Sequence, residues 1–164
     1  MFGGGFPEMF LGELSKNEPM KNAIRTAAAQ NMPIYAECGG LMYLTESVVD
    51  FNKQELPMVG LVPAKCVMQD KLQRVGYVEA TALHDTVLVP AGTTLRGHEF
   101  HFSTMELAMD EQEFPWAFRF EGGRQRQVYV GGYSKGNILA SYLHINFAGN
   151  DEAVAHFLNK ARVY

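Results

Sequence analysis

Pro33-Ile34-Tyr35-Ala36-Glu37-Cys38-Gly39-Gly40-Leu41-Met42-Tyr43 is an apolar strand that runs into a cysteine and continues as a helix. A strand that turns this sharply has no room for side chains two residues either side of the apex. Ala36 and Gly40 occupy those two places. The turn lifts the Cys38 sulfur above the sheet and sets it at a helix N-terminus, where unpaired amides favour thiolate over thiol. A cysteine that only fills a core needs none of these neighbours. Cys38 is therefore read as a nucleophile.

Outward from this turn, the first third of the chain alternates between helix and strand. A short helix is expected over 7–14, with Pro7 in its first turn. Asn17-Glu18-Pro19 opens an alanine-rich helix over 20–30, 32–36 is a buried strand, and the helix after Cys38 is expected over 39–49. This alternation predicts a parallel sheet covered on both faces. The middle of the chain reads as short β-branched strands over 59–62, 64–68, 75–80, 86–89 and 96–103, separated by Gly, Pro, Asp and Asn. Residues 114–120 and 128–133 read as a hairpin around Glu121-Gly122-Gly123-Arg124. Segment 138–146 returns to the core. A last helix begins near Asn150, with Val154, Phe157, Leu158 and Ala161 as its docking face.

Bulk properties narrow the function classes. A chain of 164 residues supports one domain with a real core, here taken as 1–164. A net charge of -4 argues against a nucleic-acid surface. No apolar run is long enough for a bilayer and no signal peptide is recognisable, so no membrane partner and a cytoplasmic location are expected. Two cysteines, Cys38 and Cys66, fit a reducing compartment, and Cys66 reads as core. The triple glycine Gly3-Gly4-Gly5 follows only Met1-Phe2, although such a loop normally follows a strand that holds it. The chain is therefore expected to be a piece of something longer. Its exposed sheet edge would be a route to homo-oligomers.

A cysteine nucleophile needs a base, an oxyanion site and usually a group that orients the base. His144 is the candidate base, near the end of the apolar run Ser141-Tyr142-Leu143-His144-Ile145-Asn146. Asn146 lies two residues on, on the same face if the strand continues, and is a candidate orienter. An asparagine there also suits a strand end or turn. Gly4 and Gly5, with the Gly39 amide, are candidate oxyanion donors. The glycine run lacks the spacing and the Lys-Ser/Thr of a phosphate loop. His98-Glu99-Phe100-His101 invites a zinc reading, but strand positions three apart face opposite ways, so no metal site is expected. One of Glu99 and His101 should line the site while the other packs. The nine methionines read as core filler.

Four blocks span nearly the whole chain: Gly3-Gly4-Gly5-Phe6-Pro7-Glu8, the run from Tyr35 through Cys38 to Leu44, Arg96-Gly97-His98-Glu99-Phe100-His101-Phe102-Ser103, and Ala140-Ser141-Tyr142-Leu143-His144. In this order they resemble the glutaminase domain of the cobyrinic acid a,c-diamide synthase family, among the triad-type (class I) glutamine amidotransferases. The resemblance implies a flavodoxin-like three-layer α/β/α fold with additional antiparallel strands in the middle, truncated at its N-terminus. It implies glutamine as substrate, Cys38 as nucleophile and His144 as base. It further implies an ATP-binding synthetase domain outside this chain, which uses ATP and Mg²⁺ to activate the a and c carboxylates of a corrinoid, cobyrinic acid. No cofactor is expected in the glutaminase domain itself.

Two departures from the wider superfamily stand out. Met42 takes the place of a glutamine four residues after the nucleophile. His144-Ile145-Asn146 replaces His-Pro-Glu, which leaves the orienter open between Asn146 and Glu99. The related synthase that amidates nickel-sirohydrochlorin would carry a similar glutaminase. A stand-alone cysteine hydrolase or peptidase on the same scaffold, or a non-catalytic assembly module, are the readings from other classes.

Overall fold

The structure is a computed structural model that describes residues 1–122 and 127–164. Its helices are α1 (Leu11–Lys16), α2 (Glu18–Ala29), α3 (Gly39–Leu44) and α4 (Asp151–Arg162). Its strands are β1 (Ile34–Glu37), β2 (Thr45–Val49), β3 (Glu55–Pro57), β4 (Val62–Met68), β5 (Arg74–Ala82), β6 (Thr94–His101), β7 (Ser103–Leu107), β8 (Trp116–Gly122), β9 (Gln127–Lys135), β10 (Ile138–Ser141) and β11 (His144–Ile145). Seven strands form one sheet in the order β1-β10-β9-β8-β5-β6-β11. Four form a second sheet, β3-β2-β4-β7.

The large sheet separates two cores, because side chains alternate across a strand. Ile34, Ala36, Ile138 and Ala140 face a core shared with α2, α3 and the second sheet. Tyr35 and Leu139 face the opposite way, into a core closed by the 83–93 segment and α4. The result is a layered mixed α/β fold. Parallel pairing is narrower than the early alternation of helix and strand predicts. It is confined to β1–β10 and β2–β4 among the named strands, with a single parallel bridge from Phe2 to Ala36. Elsewhere the strands of the large sheet pair antiparallel; the short β8–β9 and β9–β10 connections leave no room for the crossovers that parallel pairs require.

Several boundaries differ from expectation. The helix after Cys38 stops at Leu44, and Thr45, Val48 and Val49 enter β2. The Thr45 hydroxyl donates to the Met42 carbonyl at 2.7 Å, closing the helix, and the β-branched residues beyond it favour the strand. The helix expected over 7–14 is a 3₁₀ turn (Pro7–Met9) followed by α1. Residues 86–89 are buried but form a turn, in which Thr86 Oγ1 accepts from the Leu88 and Val89 amides. Only Val62 of 59–62 enters a strand; Val59 and Leu61 donate instead to the Tyr43 and Leu44 carbonyls.

β8 and β9 pair as a hairpin, whose expected turn reaches into residues outside those described. α2 is capped by Asn17, whose side chain accepts from the Met20 amide at 3.2 Å. α4 docks through Ala153 and Phe157, while Leu158 and Ala161 are exposed. The Phe157 ring meets Tyr35 edge-on, which rotates the docking face away from Leu158. Among the described residues, no helix is long and apolar enough to cross a membrane.

Candidate active site

β1 and β10 lie side by side in parallel, with Glu37 opposite Ser141 at their carboxyl ends. Cys38 follows β1 directly, and its amide donates to the Ser141 carbonyl at 2.8 Å. His144 follows β10 by three residues. Both candidates therefore emerge at the carboxyl edge of adjacent parallel strands, where open α/β sheets place their ligands. Cys38 has φ 45° and ψ -103°, a sparsely populated conformation for a residue with a Cβ. Such strain persists only where the surroundings hold it.

The N-terminal segment supplies that hold. The Phe2 amide donates to the Tyr35 carbonyl at 2.8 Å, and the Glu37 amide donates to the Phe2 carbonyl at 2.9 Å. Met1-Phe2 is thus pinned beside β1, and the glycine loop crosses the turn. A Cβ on Gly40 would sit 2.7 Å from the Phe2 Cβ. A Cβ on Gly4 would lie 2.5 Å from Cε1 of His144, so the edge of the imidazole comes up against that glycine. A Cβ on Gly39 would meet the Gly5 backbone at 2.8 Å. Gly4, Gly5 and Gly39 are therefore gathered around Cys38 and His144.

His144 Nδ1 lies 3.7 Å from Glu37 Oε2. The other oxygen of Glu37 accepts from the Tyr35 hydroxyl at 2.5 Å and from the Ile145 amide at 3.2 Å. Sequence reasoning passed over Glu37. Its signal was a carboxylate two residues after Tyr35 on a strand with no exposed position, which puts both side chains on one buried face. The expected orienters lie elsewhere. Asn146 Oδ1 accepts from the Ala148 amide, because β11 ends at Ile145 and the chain turns there. Glu99 accepts from the Tyr129 hydroxyl. It follows His98 on β6, so its side chain faces away from the one that His144 meets.

Electrostatics favour a neutral pair at rest. Burial pushes the Cys38 thiol up to about 11, and the nearby carboxylates add to this, although the Gly39 amide opposes it. The thiolate expected at this helix N-terminus is thus outweighed by desolvation. Burial also lowers His144, against the pull of Glu37. His98 stacks on His144 with ring centroids 4.8 Å apart and adds to the lowering.

His101 stacks on Tyr142, with its Nδ1 2.8 Å from the Ser103 carbonyl, and borders the cleft over Cys38, which Glu99 does not. Among the described residues, no group of three or more His, Cys, Asp or Glu could hold a metal ion. Cys66 is fully buried, 3.4 Å from the Tyr142 hydroxyl, and both cysteines are free. The cleft over Cys38 is bordered by Gly5, Phe6, Met42 and Phe100. Its space of about 30 Å³ is that of one water, so a substrate must part this rim.

Comparison with known proteins places the fold and the family. A solved structure described as a glutamine amidotransferase shares the fold, with a TM-score of 0.64 at 15% identity over 98% of this chain and 77% of that one. Curated relatives named cobyrinate a,c-diamide synthase include proteins from Dehalococcoides mccartyi strain CBDB1 (45% identical over 95% of this chain) and Leptospira interrogans strain Fiocruz L1-130 (41% over 96%). Another comes from a Synechococcus species (42% over 95%). The chain spans about a third of their length, 34%, 34% and 33% respectively. Residues 1–152 match the CobB/CobQ-like glutamine amidotransferase domain, and the chain belongs to that family.

Proposed function

We propose that the chain is the glutaminase part of an ATP-dependent cobyrinic acid a,c-diamide synthase working in the cytoplasm. The observation that carries the reaction is the strained Cys38 and the His144 that both emerge at the carboxyl ends of the adjacent parallel strands β1 and β10. The names of the relatives support the choice of corrinoid as the final acceptor.

In the proposed reaction, glutamine enters the cleft over Cys38. His144 takes the thiol proton through Nε2, the nitrogen not turned to Glu37, and the sulfur attacks the side-chain amide carbon. The Gly39 amide with that of Gly4 or Gly5 receives the oxyanion, an interaction worth about 3 kcal/mol in comparable sites. His144 returns the proton to the departing nitrogen, which leaves as ammonia. A γ-glutamyl thioester remains on Cys38. Water, losing a proton to His144, then releases glutamate and restores the thiol. ATP and Mg²⁺ belong to the part of the relatives that this chain does not span. There they would convert the a and c carboxylates to acyl phosphates that ammonia attacks.

The test uses the complete enzyme. Cys38→Ala is expected to abolish glutamine-driven amidation of cobyrinic acid and to spare amidation driven by an ammonium salt. Retention of glutamine use by this variant would sink the assignment. Amidation of nickel-sirohydrochlorin in place of cobyrinic acid would move the acceptor and leave the glutaminase reading standing.

A further inference from the structure

We propose that the exposed face of β5 and β6 beside His144 is the docking surface for the ATP-dependent part of the enzyme. The proposal rests on the glutaminase reading above. Strand register lays out the face. His144 pairs with His98 and His98 with Tyr77, so three rings stand in one row across β11, β6 and β5. The neighbouring row pairs Phe100 with Val75. Tyr77 is 86% exposed, Val75 61% and Phe100 42%. Phe100 also borders the Cys38 cleft, and Phe6, 66% exposed, stands on its other side.

A collar of exposed aromatic and aliphatic side chains therefore starts at the mouth of the catalytic cleft, at Phe6 and Phe100, and extends across β6 and β5 to Val75 and Tyr77. Apolar groups clustered in this way at a functional opening mark an interaction surface. Aromatic anchors at the centre with charged groups at the rim are the usual layout of such interfaces. The charged groups are present. On the far side from Phe100, the next row along β5 and β6 is the Glu79–Arg96 ion pair at 2.9 Å, and Arg119–Glu121 lies beyond it on β8.

The chemistry selects the occupant. Ammonia formed at Cys38 that escapes into neutral water is diluted and mostly protonated to ammonium, which is no nucleophile, so little glutamine is wasted only where the consumer covers the opening. The relatives carry about twice this chain's length in addition to the matched part, and that portion is available to cover it. The opposite face of β5 is closed to any partner, because Val78, Ala80 and Ala82 lie in the second core.

The experiment reads coupling in the complete enzyme: amide formed per glutamine hydrolysed. Val75→Asp and Tyr77→Asp place a charge in the apolar centre and are each expected to lower this ratio at least about tenfold. Val128→Asp, at a position 54% exposed on the same sheet but beyond the ion pairs, is expected to keep the wild-type ratio. A wild-type ratio in both collar variants would overturn the proposal, as would an equal loss in Val128→Asp. If sedimentation shows that the collar variants split a homodimer while the ratio holds, a second copy occupies the face and the proposal falls. Failure of the glutaminase reading itself shows separately, as absence of Cys38-dependent glutamine hydrolysis in the unsubstituted enzyme.

Discussion

Glu37 ends β1 with one carboxylate oxygen engaged by Tyr35 and Ile145 and the other turned to His144. That division of labour fixes the carboxylate before it meets the imidazole. Its charge raises the His144 pKa against burial, and so keeps a usable base in a half-closed cleft. Glu37→Gln keeps the size of the side chain and an acceptor for Tyr35 and Ile145, but removes the charge. His144 should then titrate at lower pH, and glutamine hydrolysis should fall about 10²-fold. NMR titration of His144 beside steady-state rates checks this; an unmoved titration would assign orientation to another group. Cys38 and His144 could be read from sequence because a strained turn needs small neighbours and a base needs a place at the sheet edge. Glu37 could not, since its role depends on which residue crosses over from a strand more than a hundred positions away.

Among the elements, α3 is only six residues long, and its start is held from outside by the N-terminal segment. The closest approach is at Gly40, where an added Cβ would sit 2.8 Å from the Phe2 carbonyl oxygen as well as against its Cβ. The Phe2 backbone and its Cβ, both close to the main chain, leave little room to adjust. Gly40→Ala should therefore cost about 1–3 kcal/mol and lift Gly4 and Gly5 off the site, with loss of glutamine hydrolysis. Gly12→Ala, in α1 with nothing within 4 Å, should instead stabilise by about 0.5–1 kcal/mol. Urea midpoints of the two variants, with hydrolysis rates, separate close approach from helix propensity. Equal shifts in the two would refute the clamp. The same contact explains the glycine loop that sequence left without a supporting strand: Phe2 alone supplies the two hydrogen bonds, too few residues for a strand pattern. Elements set by local chemistry, such as the Asn17-capped α2, were legible; the early end of α3 and the turn at Thr86 depend on tertiary contacts and were not.

For the molecule as a whole, two cores on opposite faces of one sheet enclose several weak acids. Cys66 and Tyr142 lie in the first core, Cys38 lies at its margin, and Tyr35 lies in the second. Burial pushes both thiols up to about 11. It raises the Tyr35, Tyr129 and Tyr142 phenols as well. An unfolded chain would ionise these groups near their ordinary values, about 8.5 for thiols and 10 for phenols. Between those values and the folded ones, the folded chain binds more protons than the unfolded chain, so stability falls as pH rises. The contribution of the thiols is complete below about pH 8.5 and is lost as pH climbs toward 11. Each such group adds about 1.4 kcal/mol per pH unit to the slope, and the phenols join near pH 10. Urea unfolding at half-unit steps from pH 7.5 to 10.5 should therefore show a decline that steepens above pH 10. Cys66→Ala shifts the whole curve through lost packing, but it should also remove one proton's worth of slope between pH 9 and 10.5. A slope unaltered by that substitution would place the ionising groups elsewhere, and a flat profile would mean that the two cores admit water around their acids.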